Sequence, residues 1–98
     1  MADLSFDSAL DLFTSSLTKK GKSTNTIVAY KGDINQLLNY LKAQQNVSTV
    51  DAVDFSHIEN FKKDLMKNNY TAKSVSRKLN SIKNFFSFLK DENVIDTN

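Results

Sequence analysis

Apolar residues recur along the chain at helical spacing, and they do so in four separate stretches. The first stretch has apolar residues at i, i+4, i+7 and i+11, which places them on one helical face: Phe6, Leu10, Phe13 and Leu17. Ser5 suits the cap at the start of this helix, and Gly21 suits its end. The pattern predicts a first helix near residues 5–18.

The second stretch is longer and predicts a helix near residues 24–43, beginning at Ser23 or Thr24. Its broad apolar face consists of Ile27, Tyr30, Ile34, Leu37, Leu38 and Leu41. Gly32 falls opposite that face and costs about 1 kcal/mol relative to alanine. Residues 43–54 are expected to form a loop, with three valines packed against the bundle: Val47, Val50 and Val53.

The last two stretches follow this loop. Ser56 and Glu59 have the spacing of a capping box, which predicts a third helix near residues 56–68. Thr71 is expected to cap a fourth helix near residues 71–91. The inward residues of this helix are Val75, Leu79, Ile82, Phe85, Phe86 and Leu89. Tyr30 and Tyr70 both fall on apolar positions and are interpreted as core residues.

The second and fourth helices repeat one pattern at an offset of 48 residues. The matching pairs include Ile27/Val75, Ile34/Ile82, Leu37/Phe85, Leu38/Phe86 and Leu41/Leu89, with Thr26/Ser74 among the hydroxyls. A shorter amphipathic helix precedes each of them, so the chain is predicted to be all-α, a four-helix bundle of two helical hairpins. Duplication and a shared core requirement are equally good explanations of the repeat.

Composition removes several classes of protein from consideration. The 98 residues suit one domain, and there is no cysteine to form a disulfide or a thiolate metal site. No apolar run approaches the roughly 20 residues that span a bilayer. We expect a cytoplasmic protein without a metal or another cofactor.

The net charge of +2 conceals a marked segregation of charge. Residues 19–31 carry +4 without any acid, residues 62–90 carry +7, and the remainder of the chain carries −9. Separated basic segments of this kind favour a polyanionic partner. An ordinary solvated lysine-rich surface is the alternative.

Polar side chains on the fourth helix suggest what that partner is. Opposite its apolar face, at i, i+4, i+7 and i+11, lie Lys73, Arg77, Asn80 and Asn84, flanked by Ser76, Ser81 and Lys83. Ser74, at the start of the helix, is also expected to contact the partner. These groups suit phosphates and base edges in a DNA major groove. The start of the second helix adds a smaller set suited to phosphate: Lys22, Ser23, Thr24, Asn25, Thr26 and Lys31.

Catalytic groupings are not found in the sequence. His57 is the only histidine and lies beside an expected helix cap, and there is a single arginine. Asp3, Asp7 and Asp11 lie at i, i+4 spacing, which suits a solvated helix face near the N-terminal dipole far better than a metal pair. We expect this chain alone to catalyse nothing.

Two motifs resemble the SAM-like N-terminal domain of phage integrases and Xer-type tyrosine recombinases. The first is Thr26-x-x-x-Tyr30-x-x-Asp33-Ile34-x-x-Leu37 followed by Tyr40-Leu41, and the second is Ser74-x-x-Arg77-x-Leu79-Asn80-Ser81-Ile82-Lys83-Asn84-Phe85-Phe86-x-Phe88-Leu89. The resemblance covers nearly all of residues 4–98. Family members often have serine where Asn80 stands and arginine where Lys83 stands.

The resemblance implies a core-binding domain that clamps one side of a recombination site on double-stranded DNA, with its second and fourth helices directed toward the major groove. It implies that residues 1–98 are one domain of a longer enzyme, because the family's linker would begin near Asn98 and its catalytic domain would follow. The isolated domain is then expected to be a monomer, and the full-length protein an oligomer on DNA.

A helical protein-interaction domain is the alternative function. Its basic segments would serve an acidic partner, and Tyr40 and Phe88, which lie off the main apolar stripe, would form its contact patch. Both residues also suit a second role, in which they seal the junction between the hairpins. Salt-dependent binding to duplex DNA would distinguish the two functions.

Overall fold

The computed structural model describes residues 5–92. Four α-helices follow in order, α1 (Phe6–Lys19), α2 (Thr24–Gln44), α3 (Phe55–Lys67) and α4 (Ala72–Asp91), with a single 3₁₀ turn at Val50–Ala52 between α2 and α3. Within residues 5–92 there is no strand, and one isolated bridge pairs Ser5 with Thr49. The predicted all-α fold is confirmed, and each helix boundary lies within a residue or two of its predicted position.

Three of the helices begin at the predicted caps. The side chains of Ser5, Ser23 and Thr71 each accept a hydrogen bond from a backbone N–H in the first turn. Gly21 ends α1 in the left-handed region at φ 79°, where glycine carries no steric penalty. The amide of Lys22 then donates to the carbonyl of Leu17 at 3.1 Å, which closes the helix end.

The start of α3 differs from the prediction. Asp54, not Ser56, is the N-cap, and its carboxylate accepts from the amides of Ser56 and His57. The Nδ1 atom of His57 accepts from the Asp54 amide at 3.0 Å, so the capping box is completed by a histidine and not by Glu59. The helix therefore begins one residue earlier than expected, at Phe55. The Ser56 hydroxyl itself donates to the Asp54 carboxylate at 2.6 Å, so Ser56 is a partner of the cap and not the cap.

The core lies where α2 and α4 pack against each other, with α1 covering both helices and α3 packing on the pair from another side. Its buried apolar residues are Phe6, Ala9, Leu10, Phe13, Leu17, Ile34, Leu37, Leu38, Leu41, Val47, Val50, Phe61, Leu65, Val75, Ile82, Phe85 and Leu89. Of the three loop valines, Val47 and Val50 are buried and Val53 is partly buried. The loop therefore packs against the bundle as predicted.

Tyr40 and Phe88, which lie off the main apolar stripe, pack between helices. Phe88 lies 5.5 Å from the ring of Phe13, and Tyr40 lies 5.4 Å from that of Phe61, so both seal junctions between helices. Both side chains are partly buried against the core, as the sealing role predicts. The prediction that Tyr70 is a core residue is wrong, because it is 41% exposed at the turn before α4.

Helices α2 and α4 run antiparallel where they touch. Tyr30 is bonded to Asn84, Asp33 to Ser81 and Arg77, and Gln36 to Tyr70, so positions ascend on one helix as they descend on the other. The N-terminal ends of the two helices consequently lie at opposite ends of their shared seam. This seam fixes the position of the polar side chains on α4.

Candidate nucleic-acid interface

One face of α4 presents cations and amides to solvent. Lys73, Arg77, Asn80 and Asn84 are all exposed, and they fall on the side opposite the buried stripe at roughly 100° per residue. We call these four residues the α4 face. It extends for about 16 Å along the helix at ~1.5 Å per residue, and no acidic residue occurs between positions 65 and 90. This length and these groups suit the major groove of a duplex.

The acid nearest this face is buried beneath it. The Oδ1 atom of Asp33 on α2 accepts from the Arg77 guanidinium at 2.8 Å and from the Lys78 ammonium at 3.2 Å, while its Oδ2 atom accepts from the Ser81 hydroxyl at 2.9 Å. The carboxylate side chain is only 4% exposed, and that of Lys78 is 10% exposed. We call these four residues the Asp33 cluster. It ties α2 to α4 directly under the exposed cations.

The cluster keeps its carboxylate ionised. Burial by itself raises the pKa of Asp33, but the hydrogen bonds from Ser81, Lys78 and Arg77 outweigh burial, and the net pKa is below the ordinary value. Among the described residues, no buried side-chain nitrogen or oxygen lacks a hydrogen-bond partner. The seam between α2 and α4 is therefore fully satisfied, although it contains three charges.

Two tyrosine hydroxyls hold amides along the same seam. The Asn84 amide donates to the hydroxyl of Tyr30 at 2.9 Å, and the Gln36 amide donates to that of Tyr70 at 3.0 Å. Asn84 is thus held in one orientation, whereas the side chain of Asn80 makes no hydrogen bond with the residues that the structure describes. Of the two asparagines, Asn80 has the whole of its amide available to a ligand.

The N-terminal ends of α2 and α4 are built alike. The Ser23 hydroxyl accepts from the Thr26 amide at 3.1 Å and donates to the Thr26 hydroxyl at 3.0 Å. Thr71 makes the same pair of bonds to Ser74, both at 3.1 Å. Each helix therefore begins with two hydroxyls in contact, Ser23 with Thr26 and Thr71 with Ser74. Lys22 and Lys73, both exposed, stand beside these ends.

Thirteen of the fourteen residues predicted to contact DNA are exposed or partly exposed, and Ser81 is the exception. It is 6% exposed and its hydroxyl donates to Asp33, so the expectation of a surface hydroxyl at this position is wrong. Its place on the α2 side of the helix turns it into the seam, where a small polar side chain is needed to satisfy the carboxylate. Thr26 and Ser74 are partly exposed, and the others are exposed.

Lys31 and Lys83 are exposed but lie away from the α4 face. Lys31 is three helical turns before Lys42, whose ammonium lies 5.9 Å from the ring of Phe6 on α1, so Lys31 falls on the α1 edge of α2. Lys83 lies on the flank of α4 that lines the groove toward α3, whereas Ser76 is exposed and lies one turn from Lys73 and from Asn80. The structure therefore groups Lys73, Arg77, Asn80 and Asn84 together, and separates Lys31 and Lys83 from them.

Sequence reasoning missed Asp33, Lys78 and the hydroxyl of Tyr30 as parts of this site. One signal was present, because Asp33 and Ser81 stand 48 residues apart and occupy matching positions of the two hairpins. An acid on the edge of an apolar stripe, matched by a hydroxyl in the repeat, indicates a polar pair across the seam. Lys78 carried a signal too, because it stands at i+3 from Val75 and i−4 from Ile82, within the apolar stripe, and a lysine on a buried face needs a partner.

A groove with a volume of about 550 Å³ lies between α3 and α4. Its floor includes Val53, Ile58, Leu79 and Phe86, and its rim mixes cations and acids: Lys62, Lys83, Lys90, Asp54, Glu59 and Asp91. The charges of this rim balance, so the groove has no preference for a polyanion. The α4 face carries cations without acids, so it is the better candidate for binding a polyanion.

Residues 5–92 contain no group of three or more His, Asp or Glu side chains placed to hold a metal ion. None of their helices is both long enough and apolar enough to cross a membrane.

The fold and the site define a small helical domain of two hairpins that presents an acid-free polar helix face. The chain belongs to the family of phage integrase N-terminal SAM-like domains, whose family model matches residues 10–93. The sequence resemblance to this family is thereby confirmed.

Relatives with known names agree with this family. The chain is 34% identical over 82 residues to the tyrosine recombinase XerD of Rickettsia bellii, and 29% identical over 90 residues to the tyrosine recombinase XerC of Anoxybacillus flavithermus. It is 30% identical over 81 residues to XerC of Listeria monocytogenes. These matches cover 83–91% of the chain but only 26–30% of the relatives. No solved structure gives a significant match.

Proposed function

We propose that the chain is the core-binding domain of a site-specific tyrosine recombinase, and that it binds double-stranded DNA through the α4 face and the N-terminal end of α2. The observation that carries this proposal is the α4 face itself, which has cations and amides exposed over three turns, with the nearest carboxylate buried and paired. Lysine and arginine side chains bind DNA phosphates, and asparagine amides bind base edges.

Within this proposal the residues divide by role. Lys73 and Lys22, at the starts of the two helices, contact phosphates together with the hydroxyls of Ser74 and Thr26. Asn80 lies where a base edge is reached, and Arg77 contacts a phosphate. Strand cleavage and joining belong to a catalytic domain outside this sequence, since the relatives named as recombinases are more than three times as long as the matched region.

A titration of the isotopically labelled domain with duplex DNA, followed by NMR, tests the proposal. Amide shifts should concentrate at residues 22–26 and 73–84 and should spare the exposed acids of α1, Asp7 and Asp11. With about five phosphates contacted, the slope of log K against log salt should be near −4.5, so affinity should fall roughly 500-fold between 50 and 200 mM salt. Arg77→Ala should weaken binding more than its control on the α3–α4 groove, Lys90→Ala.

Two outcomes would contradict the proposal. Shifts confined to α1, or to the groove between α3 and α4, would show that the α4 face is not the binding surface. Binding that does not depend on salt would favour the alternative of a protein-interaction domain. Lys31→Ala is an informative second control, because this lysine lies on the α1 edge of α2 and should matter less than Lys22.

A further inference from the structure

Arg77 has one end in the protein and one in solvent. One guanidinium nitrogen donates to the buried carboxylate of Asp33 at 2.8 Å, yet the arginine side chain is 61% exposed. A guanidinium has five N–H donors in a rigid planar fork. The donors that are not directed at Asp33 are therefore able to reach a ligand on the α4 face.

The other cation of the Asp33 cluster points inward. The ammonium of Lys78 lies 3.2 Å from the Oδ1 atom of Asp33 and 5.4 Å from the centre of the Tyr70 ring, and its side chain is 10% exposed. Two cations and one carboxylate give the cluster a net charge of +1. That surplus charge is presented to solvent by Arg77, because Lys78 is enclosed.

We propose that Asp33 is a positioning residue of the DNA-binding face, which holds Arg77 so that a single guanidinium joins the buried carboxylate to a DNA phosphate. This inference rests on the proposed function of the α4 face. Asp33 thereby fixes the orientation of Arg77 before DNA arrives, and it cancels one of the two positive charges that α4 brings to this point.

The negative charge of Asp33 has a measurable effect on DNA binding. Asp33→Asn keeps the shape of the side chain and an acceptor for Ser81, but it removes the negative charge beneath Arg77. The slope of log K against log salt, measured with a synthetic duplex of mixed sequence, should then become steeper by about 0.9. Between 50 and 200 mM salt this corresponds to an additional loss of affinity of about 3.5-fold.

A double-mutant comparison distinguishes positioning from a general effect on the fold. If Asp33 acts through Arg77, the change in slope should disappear when Asp33→Asn is made in an Arg77→Ala background. Ser81→Ala is the matched control, since it removes a partner of Asp33 without changing any charge, and it should leave the slope unaltered. An unaltered slope in Asp33→Asn alone, or the same increment in both backgrounds, would overturn the inference.

Arg77→Lys provides a second test at an exposed position, where folding is not at risk. Lysine keeps the charge but lacks the planar fork, so its ammonium cannot join the carboxylate and a phosphate in the same way. We expect affinity to fall about tenfold at fixed salt, the loss of one charge-assisted hydrogen bond. Unchanged affinity would exclude the joint contact. If Arg77→Ala binds DNA as tightly as the wild type, the proposed DNA-binding function of the α4 face is contradicted, independently of the role of Asp33.

Discussion

Asp33 shows how one residue links the stability of this domain to its exposed face. Its carboxylate is 4% exposed and is bonded to three side chains of α4, so it crosses the seam that holds the two longest helices together. A buried charge of this kind is costly to leave unpaired. Its partners differ in exposure, since the Lys78 side chain is enclosed while that of Arg77 is 61% exposed.

These differences predict the effects of substitutions on stability. Asp33→Ala should lower the free energy of unfolding by about 3 kcal/mol at neutral pH, because it leaves the enclosed ammonium of Lys78 without its partner. Arg77→Ala should cost less than about 1 kcal/mol, as is usual for an exposed member of an ion pair. Urea unfolding followed by circular dichroism measures both. Equal losses of stability in Asp33→Ala and Arg77→Ala would show that the burial of each side chain does not determine its contribution.

The same prediction has a pH dependence with a definite sign. The folded-state pKa of Asp33 lies below its ordinary value, so its contribution to stability is complete above the unfolded pKa of about 4. Below that pH the unfolded chain takes up the proton first, and the contribution is lost as pH falls through the folded pKa. The difference in stability between wild type and Asp33→Ala should therefore narrow on acidification. A difference that widens would contradict the assignment.

At the scale of elements, the two glycines illustrate opposite uses of one residue type. Gly32 lies inside α2 on the exposed side, and a Cβ added there would meet nothing within 4 Å. Gly21 also has open space around it, but its φ of 79° is a conformation that other residues rarely adopt. The first glycine is a weak point of a helix, and the second is a requirement of a helix end.

Alanine at each position should accordingly have opposite effects. Gly32→Ala should raise the free energy of unfolding by about 1 kcal/mol, the difference in helix propensity. Gly21→Ala should lower it by roughly 1–2 kcal/mol, the cost of a left-handed alanine. Thermal and urea unfolding of both variants check this. A destabilised Gly32→Ala variant would mean that the exposed side of α2 has a packing requirement which the structure does not contain.

At the scale of the whole molecule, Phe13 joins the two hairpins. Its ring lies 5.6 Å from that of Tyr30 on α2, and 5.4 and 5.5 Å from those of Phe85 and Phe88 on α4. Edge-to-face and tilted contacts of this kind stabilise beyond the area they bury. The first helix therefore belongs to the same cooperative core as the α2–α4 pair.

Truncation of this ring should weaken the entire domain. Phe13→Ala should cost about 3–5 kcal/mol, as for other buried phenylalanines. Phe55→Ala is the control, since Phe55 is 76% exposed and its loss should change stability by less than about 0.5 kcal/mol. Near-ultraviolet and far-ultraviolet circular dichroism should report one common transition in both variants. Separate transitions would show that α1 folds independently of the hairpins' seam.

The sequence alone was sufficient for the helices and for most of the core. Apolar spacing depends only on the 3.6-residue repeat of a helix, and caps depend on side chains within three residues, so both are local properties. The start of α3 was misplaced because Asp54, Ser56 and their neighbours offer several local caps of similar quality. The structure decides among them, because the Ser56 hydroxyl is bonded to the Asp54 carboxylate at 2.6 Å.

The sequence likewise determined only part of the candidate site. That Lys73, Arg77, Asn80 and Asn84 share one face of α4 follows from their spacing alone. Which flank of that helix meets α2 is decided by tertiary packing, because periodicity defines a buried stripe but not the neighbour that covers it. Only the folded structure could turn Ser81 inward to Asp33, enclose Lys78 and leave Arg77 half in solvent, since each outcome depends on a side chain more than forty residues away.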